Sequence, residues 1–341
     1  MTAPPYRLRV ADVTVETDDA RSFALEVPPS LAEQFRYRPG QFLTVRVPTD
    51  AGPVARCYSI SSAPGSGQLT ITVKKMPDGL GSSWLCDRVA TGAELEVLPP
   101  AGRFVPRTLD ADFLLLAAGS GITPVLSILR AALAGGHGQV TLVYANRDEH
   151  SVIFAAELRR LVAAHPGRLT VVHWLETVSG LPTPAALADL CRPWAGAAAE
   201  VFLCGPTAFM AAADTALREL GVARIHVEKF QSLTDDPFGP VVEAPAAAGE
   251  ATFDLAVELD GAEHKLAWPA GRRMLDVLVE GGLAAPSSCR EGRCGACTCR
   301  LVDGEVEMVN NEVLDAQDLA EGYVLACQSL PRRGPFQVDY L

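Results

Sequence analysis

The sequence is short of basic and of aromatic residues. Lysine and arginine number 29 against 41 acids, for a formal net charge of −12, and aromatics make up 6% of 341 residues. That balance argues against a nucleic-acid partner, whose phosphates require basic surface. Nothing at the start reads as a secretion signal: MTAPPYRLRVADVTVETDD carries acids where such a signal would be apolar. Apolar runs long enough to cross a membrane are also lacking. The nearest, Phe113 to Leu129, is 17 residues, at the short limit for a span, and contains Gly-Ser-Gly and a proline. A buried strand, a loop and the start of a helix account for it better. The expectation is a cytoplasmic protein with no membrane contact.

An even cysteine count is missing too. Nine cysteines with no export signal imply a reducing compartment, so clustered thiols read as metal or redox ligands rather than disulfides. The chain is long enough for two or three cores, and its texture changes twice. Up to about residue 107, short β-branched runs separated by Pro, Gly and Asp turns predict an antiparallel barrel or sandwich. From 108 to 232, DFLLLAAG opens strictly alternating strands and helices, which predicts an open parallel sheet covered on both faces. Residues 233–250 have linker composition. Residues 251–341 form a third unit, with two strand-like runs, the helix MLDVLVE, a cysteine loop and the final strand FQVDYL. Glu250 to Leu341 hold 16 acidic and 8 basic residues, a net of −8 against −4 for the rest, and such polarisation suits docking to a basic partner.

Four cysteines fall within SSCREGRCGACTCR. Cys289-x4-Cys294-x2-Cys297, followed by Cys327 after 29 intervening residues, is the plant-type [2Fe–2S] spacing. A zinc ribbon would need a second Cys-x-x-Cys knuckle, and there is none. Gly292, Gly295 and Ala296 are small enough for the backbone to wrap closely and aim N–H groups at sulfur. Cys299 is read as a packed, non-ligand thiol, and Cys57, Cys86 and Cys191 likewise.

Two further elements suggest nucleotides. In Arg56-Cys57-Tyr58-Ser59, the arginine can clamp a pyrophosphate, the tyrosine can stack on a flat ring, and the serine can bond its edge. The stretch GLGSSWL then offers Ser82 and Ser83 at a helix start, a natural phosphate site. Gly119-Ser120-Gly121-Ile122-Thr123-Pro124 lies between a buried strand and a helix. Its glycines allow close approach to a nucleotide, but proline stands where the Rossmann fingerprint has its third glycine. Cys204-Gly205-Pro206 ends a later strand at the carboxyl edge, where ligands of such sheets bind. On the residues alone, Cys204 reads equally well as an ordinary buried cysteine.

RCYSISS, GSGITP, CGP, and SCREGRCGAC with LACQS, in that order, resemble the ferredoxin–NADP⁺ reductase superfamily in its form with a C-terminal plant-type ferredoxin. The resemblance covers essentially the whole chain. DADFLLLAAGSGITP, YANRDEHSVIF and LDAQDLAEGYVLACQS are similar to the reductase component of 3-ketosteroid 9α-hydroxylase. The phenylacetyl-CoA epoxidase reductase shares the domain order. The resemblance implies an FAD-binding β-barrel (1–107), a nicotinamide-binding α/β domain (108–232), a linker (233–250) and a β-grasp ferredoxin domain (251–341). Arg56 and Ser82 would hold the FAD pyrophosphate, Tyr58 would stack on the flavin ring, and Lys74 would lie near it. Ser59, Cys204 and Glu228 would form the catalytic set, with Thr123 and Cys204 bordering the nicotinamide. Many relatives end at an aromatic residue stacked on the flavin; this chain runs on, and Phe230 is the candidate for that place.

The implied route is NADH to FAD to cluster to a separate terminal oxygenase, since no Cys-x-His pairs for a Rieske centre are present. That partner, expected to be the 3-ketosteroid 9α-hydroxylase oxygenase, would dock near the acidic ferredoxin unit of a monomer, with Glu291, Glu305 and Glu307 as test positions. At YANRDEH, Arg147 suits the 2′-phosphate of NADPH and Asp148 a bare ribose. NADH is favoured, and an NADPH-dependent epoxidase-type reductase is the alternative. A different class, an iron–sulfur carrier or sensor without nicotinamide chemistry, would not need the R-x-Y-S, GSGITP and CGP elements.

Overall fold

The computed structural model describes residues 5–196, 199–234, 236–239 and 251–340. Most of the expected linker, residues 235 and 240–250, lies outside that set. The chain divides into two compact units. One holds Arg7–Glu96 and Phe104–Ser232; the other is mainly Leu233–Leu341, with Val97–Arg103.

The larger unit starts with strands β1 (Tyr6–Thr17), β2 (Ala20–Glu26), β3 (Phe42–Thr49), β4 (Gly52–Ser59), β5 (Leu69–Lys74) and β6 (Glu94–Val97), with helix α1 (Leu80–Arg88) between the last two. The sheet order is β4-β3-β6-β1-β2-β5. An antiparallel Ile60–Ile71 bridge brings the two ends together, giving the expected barrel. The parallel sheet follows, with order β11-β10-β7-β8-β9: β7 (Asp112–Ala118), β8 (Val140–Asn146), β9 (Leu169–Leu175), β10 (Ala199–Cys204) and β11 (His226–Glu228). Its helices are α2 (Ile122–Gly135), α3 (Ala155–Ala164), the single turn α4 (Glu176–Ser179), α5 (Pro184–Cys191) and α6 (Thr207–Glu219).

The continuous apolar run at 113–118 has a plain cause. Phe113, Leu115 and Ala117 enter one core with α2 and α3, while Leu114, Leu116 and Ala118 enter another with α5 and α6. Alternation along a strand buried on both faces leaves no place for a polar residue. The stretch Phe113–Leu129 is therefore strand, turn and helix. Among the described residues, no helix is long and apolar enough to cross a membrane.

The second unit contains β12 (Thr252–Leu259), β13 (Ala262–Pro269), α7 (Met274–Glu280), β14 (Thr298–Met308), α8 (Ala316–Ala320), β15 (Tyr323–Leu325) and β16 (Ser329–Asp339). The mixed sheet runs β13-β12-β16-β14-β15 over a core that includes Trp268, Leu278, Phe336 and Cys299. Helix α7 ends where Gly282 takes φ 81° and Leu283 N–H reaches back to Leu278 O at 2.9 Å. That left-handed residue after a helix favours glycine.

Candidate redox sites

In the cysteine loop, Arg290, Gly292 and Gly295 take positive φ (58°, 78° and 68°). The curl points main-chain N–H groups inward. Glu291 and Arg293 donate to Cys289 Sγ, Cys289 and Ala296 to Cys294 Sγ, all at 3.4 Å, and Cys327 to Cys297 Sγ at 3.5 Å. The glycines thus make the turn, while mostly other residues supply the donors. The cysteines pair two and two: the Cys289 N–H reaches Cys294 Sγ, and the Cys327 N–H reaches Cys297 Sγ. Among the described residues, no three His, Cys, Asp or Glu side chains gather as ligands of one metal ion. Two pairs suit two irons better than one tetrahedral zinc.

Cys299 stands apart in β14, buried, with its thiol 3.9 Å from Met274 Sδ. Burial pushes it up to about 12, as befits an unreactive thiol. Segment 309–314 carries bracing residues that the spacing did not reveal. Asn310 Nδ2 donates to Glu291 O (2.7 Å), Glu312 N to Gly292 O (3.0 Å), and Arg293 Nε to Glu312 (3.1 Å). A Cβ on Gly292 would come within 2.7 Å of Asn310 O, which fixes glycine there.

The three acids expected at the docking face are engaged within their own unit. Glu291 accepts from Thr234 N and Oγ1, each at 2.6 Å, and pairs with Arg293. Glu305 pairs with Arg333, and Glu307 with Arg332.

In the larger unit, the R-x-Y-S strand and the glycine–serine turn meet. A Cβ on Gly81 would stand 3.0 Å from Arg56 Cγ and 3.3 Å from the Tyr58 hydroxyl. Burial raises the Tyr58 phenol well above its usual value, so it remains neutral. Ser82 is turned into its own loop, accepting from Met76 N (3.1 Å) and donating to Gly79 O (3.3 Å); Ser83 is half-buried in the same first turn of α1. Helix α2 is tied to the barrel beyond Ser59: Ser127 Oγ donates to Ser62 O (2.6 Å), and Arg130 Nη1 to Ser61 O (2.9 Å).

Those ties let elements distant in sequence converge. Ser59 Oγ donates to Glu228 Oε2 at 3.2 Å. Glu228 is in register with Cys204, the last residue of β10. A Cβ on Gly121 would lie 2.1 Å from Cys204 O, so the GSGITP and CGP turns touch and only glycine fits between them. Thr123 Oγ1 donates to Ser120 O (3.0 Å), and Pro124 is buried in the first turn of α2. Gly205 is half-buried and Pro206 exposed where β10 opens into α6. Burial raises the Glu228 carboxyl to about 8, against the opposing pull of the Ser59 hydrogen bond. It also lifts the Cys204 thiol, to which the Glu228 charge adds. Phe230, two residues on, is 47% exposed.

Asp19 was not singled out by the sequence. It sits in the β1–β2 turn within 3.6 Å of Lys74 Nζ and 3.8 Å of Arg147 Nη2. Asp148 is spent on a capping box with Ser151 (2.8 Å). Asn146 is buried at the end of β8, its amide beside the Tyr144 hydroxyl.

A barrel with a flavin-type strand, a parallel sheet with a nucleotide turn, and a four-thiol loop define a flavin- and nicotinamide-dependent iron–sulfur oxidoreductase. Domain families agree: an oxidoreductase FAD-binding domain matches residues 7–105, an oxidoreductase NAD-binding domain 115–215, and a 2Fe-2S iron-sulfur cluster binding domain 257–332. The 3-ketosteroid-9-alpha-monooxygenase ferredoxin reductase component of Mycolicibacterium smegmatis is 53% identical, over 98% of this chain and 96% of its own. One component of the 1,2-phenylacetyl-CoA epoxidase of Escherichia coli is 33% identical, over 98% of this chain and 97% of its own. The structure of phthalate dioxygenase reductase, described as modular for electron transfer from pyridine nucleotides to [2Fe-2S], superposes with TM-score 0.59 at 25% identity, covering 98% of each chain. The chain belongs to the ferredoxin reductase superfamily with a fused C-terminal [2Fe-2S] domain, among the ferredoxin reductase components of 3-ketosteroid-9-alpha-monooxygenases.

Proposed function

We propose that this protein carries electrons from NADH to a separate terminal oxygenase that acts on a 3-ketosteroid. FAD would supply hydride acceptance and single-electron release, and a [2Fe–2S] cluster one-electron transfer, so that together they would bridge two-electron and one-electron chemistry. The observation that carries the reading is the meeting of Ser59, Glu228 and Cys204 at the carboxyl edge of the parallel sheet. Arg56 and Tyr58, packed on Gly81, fit the pyrophosphate and ring of the flavin, with Ser82 and Ser83 at the start of α1 beside them. Ser59 and the proton-retaining Glu228 border the reacting edge. Ser59 is buried there, and its hydroxyl, hydrogen-bonded to Glu228, would pass a proton. The touching Gly121 and Cys204 turns, with Thr123, form the floor for the nicotinamide. Phe230 offers an exposed ring beside that edge.

Cys289 and Cys294 would hold one iron, and Cys297 and Cys327 the other. The N–H donors would stabilise the added charge of a reduced cluster. NADH is the proposed donor. Arg147 is held by Asp19, and Arg147→Ala should weaken both coenzymes alike; a large loss confined to NADPH would reverse the choice. The oxygenase docks on the acidic second unit of a monomeric, cytoplasmic reductase. Because Glu305 and Glu307 already pair with arginines of β16, charge reversal there needs a stability control.

Reconstitution tests the whole reading. NADH should bleach both flavin and cluster absorbance, and adding a 3-ketosteroid 9α-hydroxylase oxygenase should couple NADH consumption to hydroxylated product. Bleaching without coupled product would sink the oxygenase assignment, and no bleaching would sink the reductase reading itself.

A further inference from the structure

Gln328 is a buried amide held between the cysteine loop and the distant fourth thiol. It lies in the turn between β15 and β16, next in sequence to Cys327, and is 1% exposed. Its main chain is fixed on both sides: its N–H donates to Leu325 O (2.8 Å), and its carbonyl accepts from Val309 N (3.0 Å). The side-chain amide faces the loop. Nε2 donates to Arg290 O at 2.8 Å and to Cys327 Sγ at 3.5 Å. A Cβ on Gly292 would come within 3.0 Å of Gln328 Cγ, so the loop closes directly on this side chain.

The Arg290 carbonyl settles which end of the amide points inward, since the amide oxygen there would face another oxygen. The two N–H groups of a primary amide can serve carbonyl and sulfur together. Arg290 holds φ 58°, a strained conformation for a residue with a side chain, and the bond from Gln328 secures it. A buried amide costs desolvation and side-chain entropy that an apolar residue would largely avoid. Packing alone therefore does not call for glutamine. The donors described above for Cys289, Cys294 and Cys297 are main-chain N–H groups, which any residue but proline supplies. At Cys327 a side chain donates, so the surroundings of that sulfur depend on the residue at 328.

We propose that Gln328 is the positioning residue that ties Cys327 to the loop and sets the reduction potential of the cluster site. Its N–H draws electron density from the ligand sulfur. That favours the form with one more negative charge and raises the potential. The proposal rests on the reading of the loop as a [2Fe–2S] site held by these four cysteines.

The test is a redox titration of the full-length, FAD- and cluster-loaded protein, followed by the EPR signal of the reduced cluster. Gln328→Met keeps an unbranched chain of similar length and removes the donor. At a fixed potential the ratio of reduced to oxidised cluster should fall about tenfold, a downward shift of about 59 mV for one electron. Gln328→Glu keeps the shape and, ionised, offers only an acceptor, so its potential should fall at least as far. Flavin content and NADH–ferricyanide turnover should hold in both. An unchanged or raised potential in a variant with full cluster absorbance overturns the proposal. So does loss of the cluster from both variants, which would make Gln328 a brace of the fold and nothing more. If the wild type itself binds no cluster, it is the [2Fe–2S] reading that falls, and the proposal with it.

Discussion

The cysteine loop takes three of its four thiols from nine consecutive positions, 289 to 297, and N–H groups of the same loop serve them. The flavin–nicotinamide cleft joins Ser59 to a glutamate 169 residues away and depends on two turns in contact at Gly121. The first site is shaped before anything binds, with local chain geometry as its scaffold. The second exists only while barrel and parallel sheet stay packed. Losing a ligand should therefore abolish the loop site outright, whereas the cleft should degrade by degrees as its packing is disturbed.

The largest effect should come from Cys327→Ser. It removes the one ligand that the loop cannot supply, so cluster absorbance should vanish and oxygenase-coupled turnover fall to background. NADH–ferricyanide activity through the flavin should survive. A variant that keeps its cluster absorbance would show the wrong four cysteines were assigned.

Next comes Gly121→Ala, which tests the cleft's reliance on contact. The new methyl would meet the Cys204 carbonyl at 2.1 Å, so the turns must part. A displacement near 1 Å costs about a hundredfold in rate, and the strain about 1–3 kcal/mol. Stopped-flow flavin reduction should slow accordingly while the cluster spectrum is unchanged. Normal flavin reduction would mean the contact does not matter to the chemistry.

Glu228→Gln should have a smaller effect, seen mainly in pH dependence. The carboxyl's ordinary value is 4.5, and burial raises it to about 8 in the folded protein. Between those values the folded state binds more protons than the unfolded, so stability falls as pH rises through the window and levels above 8. The glutamine variant should flatten that slope in Tm measured from pH 5 to 8.5. An identical slope would show that Glu228 does not carry the proton.

The same contrast governs what the sequence could reveal. Local features were legible: the cysteine spacing, the alternating helices and strands, and the apolar run at 113–118. The bent strand β14 was not, because Asp303-Gly304 reads as a turn. In the structure that pair continues the strand through register shifts between Leu301 and Val306, with Gly304 at φ 97°. The short α8 and β15 were missed as well, being too brief to show a period. Within the cleft, Ser59, Cys204 and Glu228 were named through family motifs rather than any visible link between them. Asp19 had no signal at all, since its pairing with Lys74 and Arg147 comes from neighbours at β5 and after β8 that only folding supplies. Asp148 looked free to hold a ribose, but its carboxylate caps Ser151.

The smallest expected effect is at Cys299, and it bears directly on how local the loop site is. Cys299 is two residues past a proposed ligand, yet it lies in β14 paired with Val324, its thiol against Met274. If only the loop geometry holds the cluster, Cys299→Ala removes packing and nothing else. The cost should be about 1 kcal/mol of stability from one lost buried atom, with visible and EPR spectra of the cluster unchanged. A shifted cluster potential would mean the wall behind the loop also tunes the site, and the divide between a self-contained loop and a packed cleft would be less sharp than the hydrogen bonds suggest.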